Sequence, residues 1–376
     1  MPFHEVSRMQ NRLEFVMLAS SPEANMRQLC RRFGISAATG YKWLARWRAS
    51  GVDGLQELSR RPLHSPGRSS AALEQAVVSM RVAHPAWGGR KIARRLHDLG
   101  HEALAASTVT DILRRNHIAL GLFGGGCAPF VRFERSRPNE LWQMDFKGHV
   151  ALLQGRLHPL TVLDDHSRFS VVLAACANQR TATVQARLIE AFGRYGQPET
   201  IIMDNGSPWG NGPGSAFTPL GVWLIEHGIK ISHSRPYHPQ TMGKDERFHR
   251  TLKAEVLAGP PFADLASAAR ALECWREVYN TQRPHESLDL AVPASRYRPS
   301  TREYAATIAP FEYGPTDLVR RVQQGGHVSV LGQAVRLPQA FAGKAIALRA
   351  RNEDGVFDAF FRAQYIKTIN VREDNP

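Results

Sequence analysis

The sequence predicts a multidomain α+β protein with all-α modules at its N-terminal end, a central α/β core on a mixed sheet, and a small C-terminal β-barrel. Helical periodicity dominates residues 1–120, whereas hairpin-like runs followed by strand–helix alternation occupy residues 138–300. Over residues 310–376, short apolar runs alternate with glycine, which favours a small barrel. Stretches rich in Pro, Gly or basic residues at 61–70 and 121–137 are predicted to be linkers.

Residues 1–60 are predicted to form a first helix-turn-helix domain. A helix over Met26–Phe33 ends at a glycine, and Ser36 is the predicted N-cap of a second helix over Ala37–Arg48. Such a pair places its second helix in the DNA major groove, although a helical hairpin without a DNA role has the same pattern. The expected core is apolar: Leu29, Phe33, Ile35, Trp43, Leu44 and Trp47. The side chains left for DNA are Thr39, Tyr41, Lys42, Arg46 and Arg48.

Residues 71–120 are predicted to form a second helix-turn-helix domain. After a first amphipathic helix, two further helices are expected over Gly88–His97 and Ser107–Asn116, with Ser107 as the N-cap of the last. The predicted DNA contacts of this module are basic: Arg90, Lys91, Arg114 and Arg115.

The composition favours a protein that binds a polyanion and does not enter a membrane. The formal net charge is +14, and basic clusters recur in several modules, which argues against a surface that is merely basic. With 43% hydrophobic and 22% charged residues, the chain is not of a disordered class. No apolar run approaches the length of a membrane span. The scattered cysteines, without a paired Cys-x-x-Cys motif, argue against structural zinc and favour the reducing cytoplasm.

Three acidic residues are predicted to lie together on rigid elements. Asp145 falls within a strand over Leu141–Phe146, and Asp204 ends a second apolar run that stops in an Asn-Gly turn. Glu246 belongs to a helix after a break at Gly243. A carboxylate buried in a strand is costly unless it is paired or binds a metal. Three hard oxygen donors suit Mg²⁺ or Mn²⁺.

The helix that carries Glu246 has an amphipathic pattern. Glu246, Arg250 and Lys253 are spaced to share one face. Phe248, Leu252 and Val256 form the expected buried stripe. A carboxylate flanked by cations is also the ordinary pattern of a solvated helix face. The predicted DNA contacts of this segment are Lys244, Arg250 and Lys253.

Two other acidic positions in the sequence are alternatives to this set. Asp245 adjoins Glu246 but points about 100° away on a helix, so Glu246 is preferred. Asp164 and Asp165 fall in a turn between two strands, where Asp is expected for structural reasons, so they are interpreted as structural.

Three runs of the sequence resemble the DDE catalytic core of retroviral-integrase-like transposases, the enzymes of bacterial insertion sequences. They are Trp142–Asp145, Met203–Gly206 and His238–Phe248, in the order that the family shows. The resemblance implies an RNase H-like fold in which Asp145, Asp204 and Glu246 are catalytic and bind two divalent ions, Mg²⁺ or Mn²⁺. It also implies that Lys253 contacts the DNA end. The 42 positions from Asp204 to Glu246 exceed the usual spacing, and Met242 stands where relatives commonly have Gln.

The resemblance implies a transposase that binds the terminal inverted repeats of an insertion sequence, cleaves at the element ends and joins the 3′-OH to target DNA. Its expected partners are double-stranded DNA and further copies of itself, at least a dimer on DNA. Two alternatives remain: an RNase H-like nuclease without strand transfer, and a catalytically inactive DNA-binding regulator. The two DNA-reading modules favour the transposase over the nuclease, and the complete acidic set argues against the regulator.

Overall fold

The chain divides into two compact units, Met1–Ser69 and Ser70–Pro376. The structure, a computed structural model, describes residues 7–58, 67–118, 134–210, 217–233 and 243–372. The linker stretches and the run from residue 234 to residue 242 therefore lie wholly or largely outside the described residues. Within the described ranges, no helix combines the length and the apolar character that crossing a lipid bilayer requires.

The first unit is a small helical domain around one apolar core. Its elements are α1 (Arg8–Ala19), α2 (Met26–Arg32), α3 (Ala37–Ser50) and a 3₁₀ turn over Gly51–Leu55. Ser36 caps α3 as predicted, because its side chain accepts a hydrogen bond from the Thr39 N–H. The predicted core residues all pack together, joined by Phe15 and Val16 from α1, a helix that the sequence analysis did not identify.

A glycine inside α3 is explained by the packing of this unit. Glycine in a helix interior costs about 1 kcal/mol relative to alanine. A Cβ atom at Gly40 would lie 2.5 Å from the Cys30 Sγ and 2.9 Å from the Phe15 ring. The absence of a side chain therefore lets α3 approach both other helices closely.

The second unit begins with three helices, α4 (Ala71–Ala83), α5 (Gly89–Asp98) and α6 (Ala106–Arg115). The prediction that Ser107 caps the last helix is wrong. Ala105 occupies the N-cap position without a side-chain hydrogen bond, and Ser107 lies within the first turn. The helix therefore begins earlier than the capping pattern indicated.

A mixed sheet with flanking helices forms the centre of the second unit. Its elements in chain order are β1 (Trp142–Phe146), β2 (Val150–Ala151), β3 (Arg156–Asp164), β4 (Ser170–Cys176), α7 (Thr181–Tyr195), β5 (Thr200–Met203), α8 (Pro219–Glu226) and β6 (Lys230–His233). The strand order is β4-β3-β1-β5-β6, and β2 pairs with β3. β1 is antiparallel to β3 and parallel to β5, which is in turn parallel to β6. The predicted mixed sheet is confirmed, and the strand predicted over Leu141–Phe146 is β1.

One face of this sheet is covered by the helix that carries Glu246 and by a long helix after it. These are α9 (Gly243–Leu252), followed by a π-helical turn over Lys253–Leu257, and α10 (Leu265–Thr281), with the short α11 (Pro293–Arg296) beyond. Phe248 and Leu252 are buried against α10, and Val256 packs beside them, so the predicted stripe is confirmed. Val278 of α10 also packs against the α4–α6 core. The α4–α6 module is therefore fused to the sheet domain.

The C-terminal part consists of antiparallel strands whose apolar core is continuous with that of the mixed sheet. The strands are β7 (Leu318–Arg321), β8 (His327–Val330), β9 (Gln333–Arg336), β10 (Ala345–Ala350), β11 (Val356–Phe361) and β12 (Gln364–Asn370). They form an open sheet, β12-β11-β10-β7, and a separate β8-β9 hairpin. Closure into a barrel is thus not confirmed among the described residues. Phe341 packs on Phe217, with ring centroids 4.9 Å apart, and both belong to the core of the mixed sheet.

Candidate active site

Asp145 and Asp204 are brought to the same end of the sheet by the parallel pairing of β1 and β5. Trp142 and Gln143 pair with Ile201 and Ile202, so the two strands run in register toward the acidic residues. The carboxyl ends of adjacent parallel strands form a common edge where sites are usually built. The geometry therefore fits the predicted pairing of these two acids.

The pKa of Asp145 is affected by the charges of both other predicted acids, Asp204 and Glu246. Burial, opposed by a hydrogen bond from the Phe146 N–H, raises the pKa of Asp145 to about 6. The negative charges of Asp204 and Glu246 contribute to this rise in the pKa, and the charge of Lys147 opposes it. Both carboxylates are therefore close enough to Asp145 to repel its charge.

The segment after Asp204 is held against β1. The Gly206 N–H donates to the Asp204 Oδ1 at 3.0 Å, and a Cβ on Gly206 would lie 3.2 Å from the other carboxylate oxygen. Trp209 is buried and stacks on Phe146, with centroids 5.4 Å apart. This packing fixes the turn that presents Asp204 beside Asp145. Trp209 was missed by sequence reasoning, because its burial depends on Phe146, which is distant along the chain.

Glu246 and Asp245 occupy opposite environments in the first turn of α9. Glu246 is exposed, whereas the Asp245 side chain is buried, with 1% of it exposed. The Thr161 hydroxyl lies 3.1 Å and 3.2 Å from the two Asp245 carboxylate oxygens. The His249 Nε2 lies 3.2 Å from the Asp245 Oδ2. Burial raises the pKa of Asp245 well above its usual value and lowers the pKa of His249 to about 4, which favours neutral side chains at both positions.

A second set of metal-ligand types is therefore present beside the predicted one. One potential ligand atom each from Asp145, Asp245 and His249 lies within 4.8 Å of the others. Asp245 and His249 are already hydrogen-bonded to Thr161. The sequence offered one signal for this cluster, because His249 follows Asp245 by four positions on the same helix face. The assignment of Glu246 in preference to Asp245 remains a prediction.

The acidic turn after β3 is structural, as interpreted. Asp164 is fully buried and accepts hydrogen bonds from the Ser167 N–H at 2.8 Å and the Asn139 N–H at 2.7 Å. Asp165, also fully buried, accepts from the Gln143 Nε2 at 2.9 Å. Both carboxylates are thus hydrogen-bonded to other groups of the protein, and these bonds stabilise the turn at the end of β3.

The predicted DNA contacts on α9 and its π turn differ in their availability. The Lys244 Nζ lies 2.6 Å from the Asp165 Oδ2, and only 16% of its side chain is exposed. Arg250 and Lys253 are exposed. Arg250 and Lys253 are therefore accessible to DNA, whereas the Lys244 ammonium is held by a buried carboxylate.

The predicted DNA contacts on α3 also divide into two groups. Those that are exposed are Tyr41, Lys42 and Arg48. Thr39 is half-buried, with its hydroxyl 2.9 Å from that of Ser36. Arg46 donates to the Gln56 carbonyl at 2.6 Å and lies 4.7 Å from the centre of the Trp43 ring. Its guanidinium is therefore engaged within the domain.

Three of the four predicted DNA contacts of the α4–α6 module form ion pairs within the protein. Ion pairs join Arg90 to Glu286 at 3.9 Å, Arg114 to Asp111 at 3.2 Å and Arg115 to Glu74 at 2.9 Å. Burial and the nearby Arg283 lower the pKa of Lys91 to about 8. The contact of these residues with DNA stays a prediction.

Five family profiles match parts of the chain. Two are integrase core domains, over residues 135–239 and 227–293, so the first contains Asp145 and Asp204 and the second contains Glu246. Residues 317–376 match the C-terminal domain of IS481 family transposases. A helix-turn-helix domain matches residues 11–62, and a homeodomain-like domain matches residues 39–113.

Similar proteins come from bacterial insertion elements. A 39.2 kDa protein of insertion element IS476 from Xanthomonas euvesicatoria is 29% identical over 72% of this chain and 78% of its own length. A 31.7 kDa protein of insertion element IS407 from Burkholderia multivorans is 27% identical over 46% of this chain and 61% of its own length. Among solved structures, the simian T-cell lymphotropic virus intasome in complex with PP2A regulatory subunit B56 gamma is similar, with 13% identity, a TM-score of 0.41 and coverage of 77% of this chain and 95% of its own.

Proposed function

We propose that the chain is a DDE transposase of an insertion sequence with an integrase core, and that it binds the terminal inverted repeats, cleaves at the element ends and joins the 3′-OH to target DNA. The observation that carries the proposal is the parallel pairing of β1 and β5, which brings Asp145 and Asp204 to one end of the sheet. Burial raises the pKa of Asp145, and the negative charges of Asp204 and Glu246 add to that rise. Such a convergence of negative charge at a sheet edge is unfavourable unless the site holds a cation.

The integrase core is a metal-dependent family, and the donor set of this site fits Mg²⁺ or Mn²⁺. We propose that Asp145, Asp204 and Glu246 hold two such ions. When bound, they would lower the charge on the attacked phosphate and stabilise the leaving oxygen. A cation would also relieve the repulsion between Asp145 and its two acidic neighbours.

The proposed reaction consists of two phosphoryl transfers without a protein nucleophile. In the first, the oxygen of water attacks phosphorus at the element end, and the 3′ oxygen leaves as a hydroxyl. In the second, that 3′ oxygen attacks a phosphorus of target DNA and displaces a target 3′ oxygen. Arg250 and Lys253 are exposed on α9 and on the turn that follows it. Their proposed role is to bind the DNA backbone.

DNA recognition is proposed to begin with the exposed side chains of α3. Tyr41, Lys42 and Arg48 lie on the helix that a helix-turn-helix inserts into the major groove. The net charge of +14 supports the phosphate contacts that such binding requires. Because joining an element to a target requires both of its ends, we propose at least a dimer on DNA.

The test uses purified protein, Mg²⁺ and a labelled duplex that carries the terminal repeat flanking the gene. We expect cleavage at the repeat end and joining to a plasmid. Glu246→Gln should reduce both by more than about 100-fold, because even changes around metal ligands cost 10- to 100-fold. The matched control is Glu190→Gln, which alters an exposed carboxylate on α7 and should leave the rates unchanged.

Other outcomes of this experiment would support a different function for the protein. Cleavage without joining, with pre-cut ends also supplied, would indicate a nuclease. Specific DNA binding without cleavage under several divalent metals would indicate a regulator. Full activity of Glu246→Gln would remove Glu246 from the catalytic set.

A further inference from the structure

A network of buried polar side chains fastens α9 to the sheet directly beside the proposed site. Thr161 of β3 pairs in register with Asp145 of β1. The Thr161 hydroxyl lies 3.0 Å from the Asp145 carbonyl oxygen and 2.9 Å from the His249 Nε2. It also contacts both carboxylate oxygens of Asp245. One hydroxyl therefore links the backbone of the Asp145 strand to two side chains of α9.

A second branch of the network holds the start of the same helix. The Gln143 Oε1 accepts from the Asp245 N–H at 3.2 Å, and its Nε2 donates to the Asp165 Oδ1 at 2.9 Å. The other oxygen of Asp165 receives the Lys244 ammonium at 2.6 Å. The two residues that precede Glu246 are thus both bonded to side chains of the sheet domain.

Stabilisation alone is a weak explanation for this arrangement. The exposed fractions are 2% for Gln143, 0% for Thr161 and 1% for Asp245, so each side chain loses its hydration on folding. Well-packed apolar residues usually stabilise a buried position as well as a polar network does, or better. Hydrogen bonds, by contrast, are directional, and functional groups must be held within about 0.5 Å of their working positions.

We propose that Thr161, Gln143 and Asp245 are positioning residues that fix Glu246 relative to Asp145 and so set the affinity of the carboxylate set for divalent cations. Phe248 and Leu252 pack α9 against α10. Apolar packing restrains rotation and sliding of a helix less strictly than directional hydrogen bonds do. The network supplies that restraint within one residue of Glu246. This inference rests on the proposed function, because it takes the three carboxylates as the metal ligands.

The test compares Thr161→Val with Thr161→Ser in the full-length protein. Valine keeps the branched shape and removes the hydroxyl, whereas serine keeps the hydroxyl. Mn²⁺ binding by the DNA-free protein is measured from the electron paramagnetic resonance signal of free Mn²⁺. We expect Thr161→Val to weaken Mn²⁺ binding by about 10-fold, as changes around metal ligands do, and Thr161→Ser to stay within about twofold of wild type.

A second readout separates positioning from general stabilisation. The Mg²⁺ concentration for half-maximal cleavage should rise in Thr161→Val by the same factor as the Mn²⁺ dissociation constant, while affinity for DNA stays unchanged. A lowered melting temperature with unchanged Mn²⁺ affinity would overturn the proposal, because the network would then only stabilise the fold. A nitrogen coupling to bound Mn²⁺ that disappears in His249→Gln would also overturn it, since the cluster would then bind metal itself.

The outcomes also distinguish this inference from the proposed function. If the wild type binds Mn²⁺, Thr161→Val weakens that binding and no DNA is cut, the positioning network is supported and the proposed reaction is not. If the wild type binds no Mn²⁺ at all, both are overturned.

Discussion

His285 is a buried imidazole among cationic side chains. With 9% of the residue exposed, its Nε2 has no hydrogen-bond partner among the described residues. Burial, followed by the charges of Arg283, Lys91, Arg168 and Arg247, lowers its pKa well below 6.5. Below about pH 6.5 the unfolded chain therefore binds a proton that the folded chain does not, and this reduces the free energy of unfolding as the pH falls.

We predict that His285→Gln reduces the loss of stability on acidification. The histidine contributes a slope of at most about 1.4 kcal/mol per pH unit below its unfolded pKa. Urea unfolding at about pH 7.5, 6.5 and 5.5 measures this slope, because these values span the range over which the histidine of the unfolded chain takes up its proton. His101→Gln, a change at an exposed histidine, is the control and should follow wild type. An equally steep loss in His285→Gln would show that the buried imidazole is protonated without penalty.

Two arginines on α3 should respond differently to removal. Arg48 is exposed, so Arg48→Ala should weaken DNA binding. It should also lower the slope of log affinity against log salt concentration by about one, since one fewer counterion is released from DNA. Arg46 bonds to the Gln56 carbonyl and lies over Trp43, so Arg46→Ala should lower the melting temperature of the first unit instead. Fluorescence anisotropy on the terminal-repeat duplex at several salt concentrations, with melting of each variant, measures both effects. The reverse result would place Arg46 on DNA.

The adjacent acids of α9 show what residue-level reasoning from sequence can reach. Helical geometry alone turns Asp245 about 100° away from Glu246, and this was the ground for preferring Glu246. The burial of Asp245 depends on Thr161 and Gln143, which are far away in sequence. No local sequence pattern predicts such partners, because they are brought to Asp245 only by the tertiary packing of α9 on the sheet.

At the scale of elements, the sheet and its helices were predictable and their distortions were not. The apolar run that stops at an Asn-Gly turn located β5 directly before Asp204. The π turn over Lys253–Leu257 breaks the 3.6-residue period on which the shared face of Glu246 and Lys253 was argued. Glu255 in this turn is bonded to the segment after α10, because its Oε1 accepts a hydrogen bond from the Arg283 Nε at 2.9 Å.

The Glu255–Arg283 pair joins the π turn to the segment after α10. Only 9% and 8% of the two side chains are exposed, and the second Glu255 oxygen accepts from the Trp275 Nε1 at 3.0 Å. A buried ion pair is tolerated when its remaining polar atoms are bonded in this way. The segment after α10 therefore contributes the Arg283 side chain to the interior.

At the scale of the molecule, hydrophobic clusters define which parts fold together. The core of the first unit contains only its own residues, from Phe15 to Leu55. The C-terminal strands instead contribute Phe341, Val330 and Phe361 to the core that contains Met144 of the mixed sheet. The sequence predicted separate modules because linkers and composition shifts are local, whereas shared burial is visible only after folding.

We therefore predict two calorimetric unfolding transitions with separate responses to mutation. Unfolding enthalpy scales with length at about 0.7 kcal/mol per residue, so the smaller transition belongs to Met1–Ser69. Gly40→Ala should lower only that transition, since forcing a methyl group against Cys30 and Phe15 costs about 1–3 kcal/mol. Phe341→Ala, at a fully buried position, should cost about 3–5 kcal/mol and lower only the larger transition. If Phe341→Ala instead splits off a third transition and leaves the midpoint of the mixed sheet unchanged, the C-terminal strands fold independently of the core they contact.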